Sequence, residues 1–467
     1  MKRLWPITLM ALCAGSALAA EPWDEATVGT SMTYEEAVRQ GQSNPDDLIA
    51  RGRSLFTGKF TREDGAGRPK ATQAILPTKR KRGENAPFLR TGGPDASACS
   101  GCHNDPIVGA AGEFVANVFV SEGFESADFD SIDPQFSNER NTNTLTGAGL
   151  VELLAREMTA ELKEQRAGAL AQARSTGQDV VLALASKGVS YGKIVARPDG
   201  TLDVSGLEGV DTDLVIRPFS QKGVFASIRQ FTINALNAHH GIQATERFGQ
   251  RWTGSRDFDE DGKPDELNEG DVTALTVFQA SLGPPGRRTG LPAEWTKAAA
   301  RGEKAFDDLG CTACHRTSLP LKSLVFQDPG PLDGAGTLRA ADVTDPLALD
   351  LGKLPWAASL KRNSKGEWLV PLFGDLKRHV IVDGQVDALG NELMGQRFVE
   401  RDVFMTAELW GIGSTAPYGH RGDFTTLDNV IRAHGGEGRT ARNAYAEADD
   451  ATRSSLIAFL RSLEIQK

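Results

Sequence analysis

Two short motifs constrain this chain more than anything else in it: Cys99-Ser100-Gly101-Cys102-His103 and Cys311-Thr312-Ala313-Cys314-His315. Five cysteines occur; Cys13 lies in an N-terminal apolar run and the other four all sit inside the two motifs. None is left for an ordinary structural disulfide. C-x-x-C-H is the attachment signature of c-type haem. Two thiols on one helical turn reach the two vinyl groups of one porphyrin, and the next His lies beneath the ring, where its imidazole meets the iron. A thioredoxin-like dithiol would need its C-x-x-C beside a βαβ unit, yet neither motif has strand-like flanks and a His follows both. A four-cysteine zinc site keeps its pairs close in sequence, and here they stand far apart. Chance is a poor account of two matches that use every remaining cysteine. The expectation is two covalent haem c groups, on Cys99, Cys102 and His103 and on Cys311, Cys314 and His315.

Such attachment is made outside the cytoplasm, and the N-terminus agrees. Lys2 and Arg3 precede an apolar run from Leu4 to Leu18, and Ala17-Leu18-Ala19 suits signal peptidase. Residues 1–19 therefore read as a signal peptide and the mature protein as periplasmic. A lipidated Cys13 is disfavoured by the bulky Leu12 before it. No later segment is apolar for long enough to span a bilayer. The formal net charge of -10 argues against nucleic acid or an anionic membrane as a partner. A small electron-donor protein, a c-type cytochrome or a cupredoxin, remains compatible with it.

The flanks of the motifs repeat. Arg51-Gly52-x-x-x-Phe56 leads to the first and Arg301-Gly302-x-x-x-Phe306 to the second. Leu275-x-x-Phe278-x-x-Ser281-Leu282 parallels Leu456-x-x-Phe459-x-x-Ser462-Leu463, with apolar residues at helical spacing. The fold class expected is mainly α, with little β: two c-type cytochrome domains in tandem, 44–282 and 292–467, joined by a Gly/Pro/Arg linker at 283–291, each with long loop insertions. Helices are expected at 145–171, 223–240, 271–282, 295–307, 426–434 and 450–463, and loop over most of 324–354. Residues 57–98 read as an irregular insertion, whose basic cluster Lys79-Arg80-Lys81-Arg82 is expected to be a solvated face.

Seven histidines occur. Beyond His103 and His315, His434 is the best sixth ligand: Thr425 or Thr426 caps a short helix, and Leu427, Val430, Ile431 and His434 share one face. His420, in Tyr418-Gly419-His420-Arg421-Gly422-Asp423, competes for that role or pairs with a haem propionate together with Arg421. His379 suits a polar structural role. His239 and His240 end an apolar helix that Gly241 closes, and one of them is expected to face the first haem as a ligand or as a distal acid/base. Glu246 is a further acid/base candidate. Finally, Asp257-Phe258-Asp259-Glu260-Asp261-Gly262-Lys263-Pro264-Asp265 follows a D-x-D-x-D-G loop. Asp257, Asp259, Asp261 and Asp265 are expected to hold Ca2+, with Glu269 or Glu266 completing the set because position twelve is Asn268.

Together these residues resemble the bacterial di-haem oxidoreductase family, a branch of the di-haem cytochrome c peroxidase and MauG-like superfamily. The most specific stretch is Leu409-Trp410-Gly411 through Thr415-Ala416-Pro417-Tyr418-Gly419-His420-Arg421-Gly422-Asp423, then Thr426-Leu427 and His434-Gly435-Gly436-Glu437; Gly374-Asp375-Leu376-Lys377-Arg378-His379 also fits. In the peroxidases a Met at a set offset beyond the His of this stretch ligates the C-terminal haem, and here that offset falls on His434. The peroxidase distal His of the first haem is replaced by Phe119. The resemblance implies a peroxidase-like enzyme in which the second haem relays electrons and the first meets peroxide or oxygen. The rival readings are a non-enzymatic di-haem electron carrier, and an oxygenase acting on an organic or protein substrate.

Overall fold

The computed structural model describes residues 27–29, 31–79, 96–117, 139–392 and 396–466. The expected signal segment with Cys13, the basic residues Arg80, Lys81 and Arg82, and Phe119 lie outside them. Helices dominate, and the sheets are small. The helices are α1 (Tyr34–Ser43), α2 (Pro45–Thr57), α3 (Ala148–Thr176), α4 (Ile228–Ala235), α5 (Thr245–Phe248), α6 (Gln250–Thr253), α7 (Glu269–Ser281), α8 (Ala293–Asp308), α9 (Leu427–Arg432), α10 (Arg439–Glu447) and α11 (Asp450–Leu460). No helix among the described residues is long and apolar enough to cross a membrane.

Local chemistry sets the helix starts. Thr33 and Glu36 close a capping box on α1. Asn44 caps α2 ahead of Pro45, whose fixed φ suits the first helical position. Ser227, Thr426 and Asp449 accept from Gln230, Asn429 and Thr452 to open α4, α9 and α11.

The repeated flanks become repeated packing. Helix α2 lies against α7, and α8 against α11. Gly52 meets the Ala274 carbonyl and Phe278, while Gly302 meets the Ser455 carbonyl and Phe459. A Cβ on Gly52 would fall 2.0 Å from the Ala274 oxygen, and one on Gly302 1.9 Å from the Ser455 oxygen, so each crossing needs a residue without a side chain. Next to the glycines, Phe56 packs on Phe278 at 5.2 Å and Phe306 on Phe459 at 5.5 Å between ring centroids. Gly302→Ala should therefore cost about 3 kcal/mol, because the obstruction is backbone that cannot rotate away. Urea unfolding checks this; a loss under about 1 kcal/mol would mean that the helices separate freely.

Several expectations need correction. The helix expected from Gly223 starts only at Ile228, because Phe219 and Phe225 bridge across a turn before the Ser227 cap. Its last turn, Leu236–His240, is a π-helix closed by Gly241 at φ +70°. The last helix stops at Leu460, and Leu463–Glu464 instead pairs antiparallel with Gly286–Arg287, so the expected linker is built into this sheet. An unexpected hairpin joins β3 (Val180–Ser186) to β4 (Val189–Ala196) through Lys187-Gly188, both at positive φ, and covers the end of α3. Within 324–354, Val325–Asp328 pairs with Leu347–Asp350.

Below the haem motifs runs a buried ionic cluster. Arg229 is fully buried and donates from Nε and Nη2 to both oxygens of Glu246, from Nη1 to Asp328 (2.6 Å) and Thr273 (2.9 Å), and from Nη2 to the Glu269 carbonyl (3.0 Å). It ties α4 to α5, α7 and the strand at 325–328.

Candidate haem sites

Both motifs fold alike. Cys99–Gly101 and Cys311–Ala313 are single 3-10 turns, and the following cysteines adopt nearly the same backbone, Cys102 at φ -108°, ψ -41° and Cys314 at φ -108°, ψ -46°. In each turn the His amide donates to the carbonyl of the first cysteine at 3.0 Å, His103 to Cys99 and His315 to Cys311. This places both thiols and the imidazole on one turn, as a porphyrin gripped at two points and at its iron requires.

The proximal imidazoles are oriented by backbone. His103 Nδ1 lies 3.3 Å from the Ala110 carbonyl and His315 Nδ1 3.2 Å from that of Phe373. A carbonyl accepts only from an N–H, so Nδ1 carries the proton and Nε2 is left with its lone pair. Phe56 stands 6.3 Å from His103 and Phe306 6.4 Å from His315, both tilted at 52°. Burial pushes both imidazoles down to about 4, so each is neutral near pH 7, as a metal ligand must be. Burial raises the Cys99 thiol to about 12 and the Cys311 thiol to about 11. Such thiols are poor thiolates, which disfavours dithiol redox chemistry. Among the described residues no ligand cluster joins the two cysteine pairs, contrary to a shared zinc site. The donor set thus fits haem in both places, with Cys99, Cys102 and His103 holding one group and Cys311, Cys314 and His315 the other.

On the opposite side, His434 follows α9. Its Nδ1 lies 2.8 Å from the Val430 carbonyl, again leaving Nε2 free, and its charge bears on His315. Burial holds its own pKa down. His420 is placed differently. It is buried against Phe404, 4.5 Å between ring centroids, with Nε2 lacking a partner. Burial, and then Arg140, Lys222 and Arg421, push it down to about 3.

At the first motif the π-helix presents both expected histidines. His240 is buried; its Nδ1 lies 2.7 Å from the Ala96 carbonyl and its Nε2 3.4 Å from Cys99 Sγ, with Phe60 5.9 Å from its ring. The charge of His239 bears on His103. A π-turn offsets side chains from the α-helical course, which lets adjacent histidines approach one motif. Glu246 is not available as the acid/base proposed for it: its carboxylate is taken by Arg229 and by the Leu338 amide. It was misread because burial beside a fully buried guanidinium has no local sequence signal.

The second motif has neighbours that the sequence did not single out as a group. His379 is clamped between Asp375 (Nε2 to Oδ2, 2.8 Å) and Glu437 (Nδ1 to Oε2, 2.7 Å), with Cys314 Sγ 3.8 Å from Nδ1. Burial opposes its charge, but the Asp375 bond and its neighbours push it up to about 11, so it is a cation between two carboxylates. Burial also lifts Glu408 to about 7. These residues come together from separate loops, so spacing could not reveal them.

In the acidic loop, Asp257, Asp259 and Asp261 bring carboxylate oxygens within 4.8 Å of one another. Asp265 turns away to Arg256, whose Nε donates to it at 2.6 Å, and Glu269 is outside the cluster at the start of α7. Lys79, the one described residue of the basic cluster, is exposed, and it donates to the Phe258 carbonyl and to Glu260.

Residues 362–463 match the family model described as "Di-haem oxidoreductase, putative peroxidase". The match covers this C-terminal segment, less than half of the chain. It carries His379, His420 and His434, while the two haem motifs lie before it. Among solved structures the chain is similar to hydrazine synthase of Kuenenia stuttgartiensis (12% identity, 98% of this chain and 100% of that chain, TM-score 0.40) and to a MauG-like protein associated with microbial copper homeostasis (17% identity, 61% of this chain and 78% of that chain, TM-score 0.26). At TM-scores below 0.5 neither likeness extends to a shared fold. No curated protein matches the chain.

Proposed function

We propose that the chain is a periplasmic di-haem c-type oxidoreductase of peroxidase-like activity, built as two cytochrome c-like domains, 44–282 and 292–467. The observation that carries this is the repetition of one site geometry twice: the same turn, the same backbone-held imidazole and the same Phe against it. The family match supports the oxidoreductase reading. Haem bound at these motifs supplies one-electron transfer and an iron that meets peroxide or oxygen.

The chain's own residues divide the work. His315 and His434, whose Nδ1 atoms are held by carbonyls, would hold the second haem through Nε2, which suits electron relay. His103 holds the first haem. His240, with its Nδ1 proton committed to Ala96, is left with a basic Nε2 that can take a proton from peroxide and return it to the leaving oxygen. Electrons come from a small donor protein, a c-type cytochrome or a cupredoxin.

The rival reading is a non-enzymatic di-haem electron carrier, in which both irons would be six-coordinate. Spectra of the purified haem-loaded protein with and without cyanide, followed by stopped-flow mixing of the reduced protein with peroxide, separate the two. A ligand-responsive high-spin fraction and rapid oxidation are expected. Two unreactive low-spin haems would leave only the carrier.

A further inference from the structure

We propose that Asp257, Asp259 and Asp261 directly ligate a calcium-class cation, and that this cation fastens the segment 61–79 against the first haem site. Asp259 carries the case. It is 0% exposed, and neither of its carboxylate oxygens has a hydrogen-bond partner. A buried carboxylate left without a donor is costly, and here its oxygens converge with those of Asp257 and Asp261.

The cations nearby do not fill the gap. Arg256 is bound to Asp265, Lys263 to Glu63, and Lys79 to Glu260 and the Phe258 carbonyl. Glu266 is already engaged, its Oε2 accepting from the Gln243 amide at 2.6 Å. An all-oxygen set on a flexible turn suits Ca2+ better than Mg2+, which demands a tighter octahedron. The spacing agrees: Asp257, Asp259 and Asp261 occupy loop positions one, three and five, and Gly262 turns at φ +91° at position six.

The loop is stitched to its surroundings on both sides of the cluster. The Lys70 amide donates to the Asp259 carbonyl (3.0 Å), and Gly65 runs so close to Glu266 that a Cβ there would lie 2.4 Å from Cγ. The same segment then reaches the π-helix: the Gly67 amide donates to the Gly241 carbonyl (3.3 Å), and Arg68 Nη1 to that of Asn237 (2.6 Å). A cation at Asp259 would thus hold the segment that buttresses the turn bearing His239 and His240.

The test uses the haem-loaded full-length protein, stripped with EGTA and titrated with CaCl2 by calorimetry and thermal melting. Stripping should lower Tm by several degrees and Ca2+ should restore it, with one ion bound. Asp259→Asn should abolish the heat of binding and the Ca2+ response of Tm, while Asp265→Asn should keep both. Equal melting of the stripped and refilled wild type without heat of binding would overturn the site. A response to MgCl2 alone would overturn the calcium class, and loss of binding in Asp265→Asn would overturn the ligand assignment. The wild-type titration decides even if a variant fails to fold.

Discussion

Replacing His434 with alanine should convert the second haem from six-coordinate low spin to high spin, with the low-spin signal of that haem lost completely. The expectation rests on geometry. The Val430 carbonyl accepts from Nδ1 at 2.8 Å, so Nδ1 carries the proton and Nε2 keeps its lone pair. Alanine keeps α9 intact, since the residue lies beyond Arg432, and removes only the donor. The reduction potential of that haem should also move, because axial ligation is a principal lever on potentials that span roughly 0.8 V. Electron paramagnetic resonance and a redox titration of the variant check both. His420→Ala is the control and should leave the low-spin signal in place. A low-spin signal that survives in His434→Ala and disappears in His420→Ala would reverse the assignment.

Arg229→Met should cost about 3–5 kcal/mol of stability, the usual loss when one partner of a buried ion pair is removed. Arg229 has no exposed surface, and its guanidinium serves two carboxylates, a hydroxyl and a carbonyl at once. Methionine fills most of the volume but strands Glu246 and Asp328 without their cation. Adding Glu246→Gln to Arg229→Met should recover part of the loss, because one of the stranded charges is then neutral; urea unfolding of the two single variants and the double variant measures that coupling. A loss below about 1 kcal/mol in Arg229→Met would show that water reaches the cluster and solvates the acids. Since α4 runs directly into the π-helix, the same variant should also disturb the first haem more than the second.

The repeat was the most legible part of this fold. Arg-Gly-x-x-x-Phe and Leu-x-x-Phe are short-range patterns, and their consequence is also short-range: one glycine where two helices touch and one phenylalanine beside the motif histidine. Helix caps at Thr33, Asn44, Thr426 and Asp449 are local in the same way. The β3–β4 hairpin is not legible beside the long α3 pattern, although Val180–Ala196 holds β-branched residues on both sides of Lys187-Gly188. The π-turn at Leu236–His240 could not be read, since its residues follow ordinary helical spacing.

The site histidines separate along the same line. The grouping of Cys99, Cys102 and His103, and of Cys311, Cys314 and His315, is legible in sequence alone, because C-x-x-C-H spacing keeps three side chains on one turn. Which other side chains face them was decided by the tertiary structure. It spent Glu246 on Arg229, placed His379 between Asp375 and Glu437, and turned Asp265 away from Asp259 towards Arg256. Each of these outcomes depends on which partner is buried beside a charge, and burial is a property of the packed chain that no run of neighbouring residues encodes.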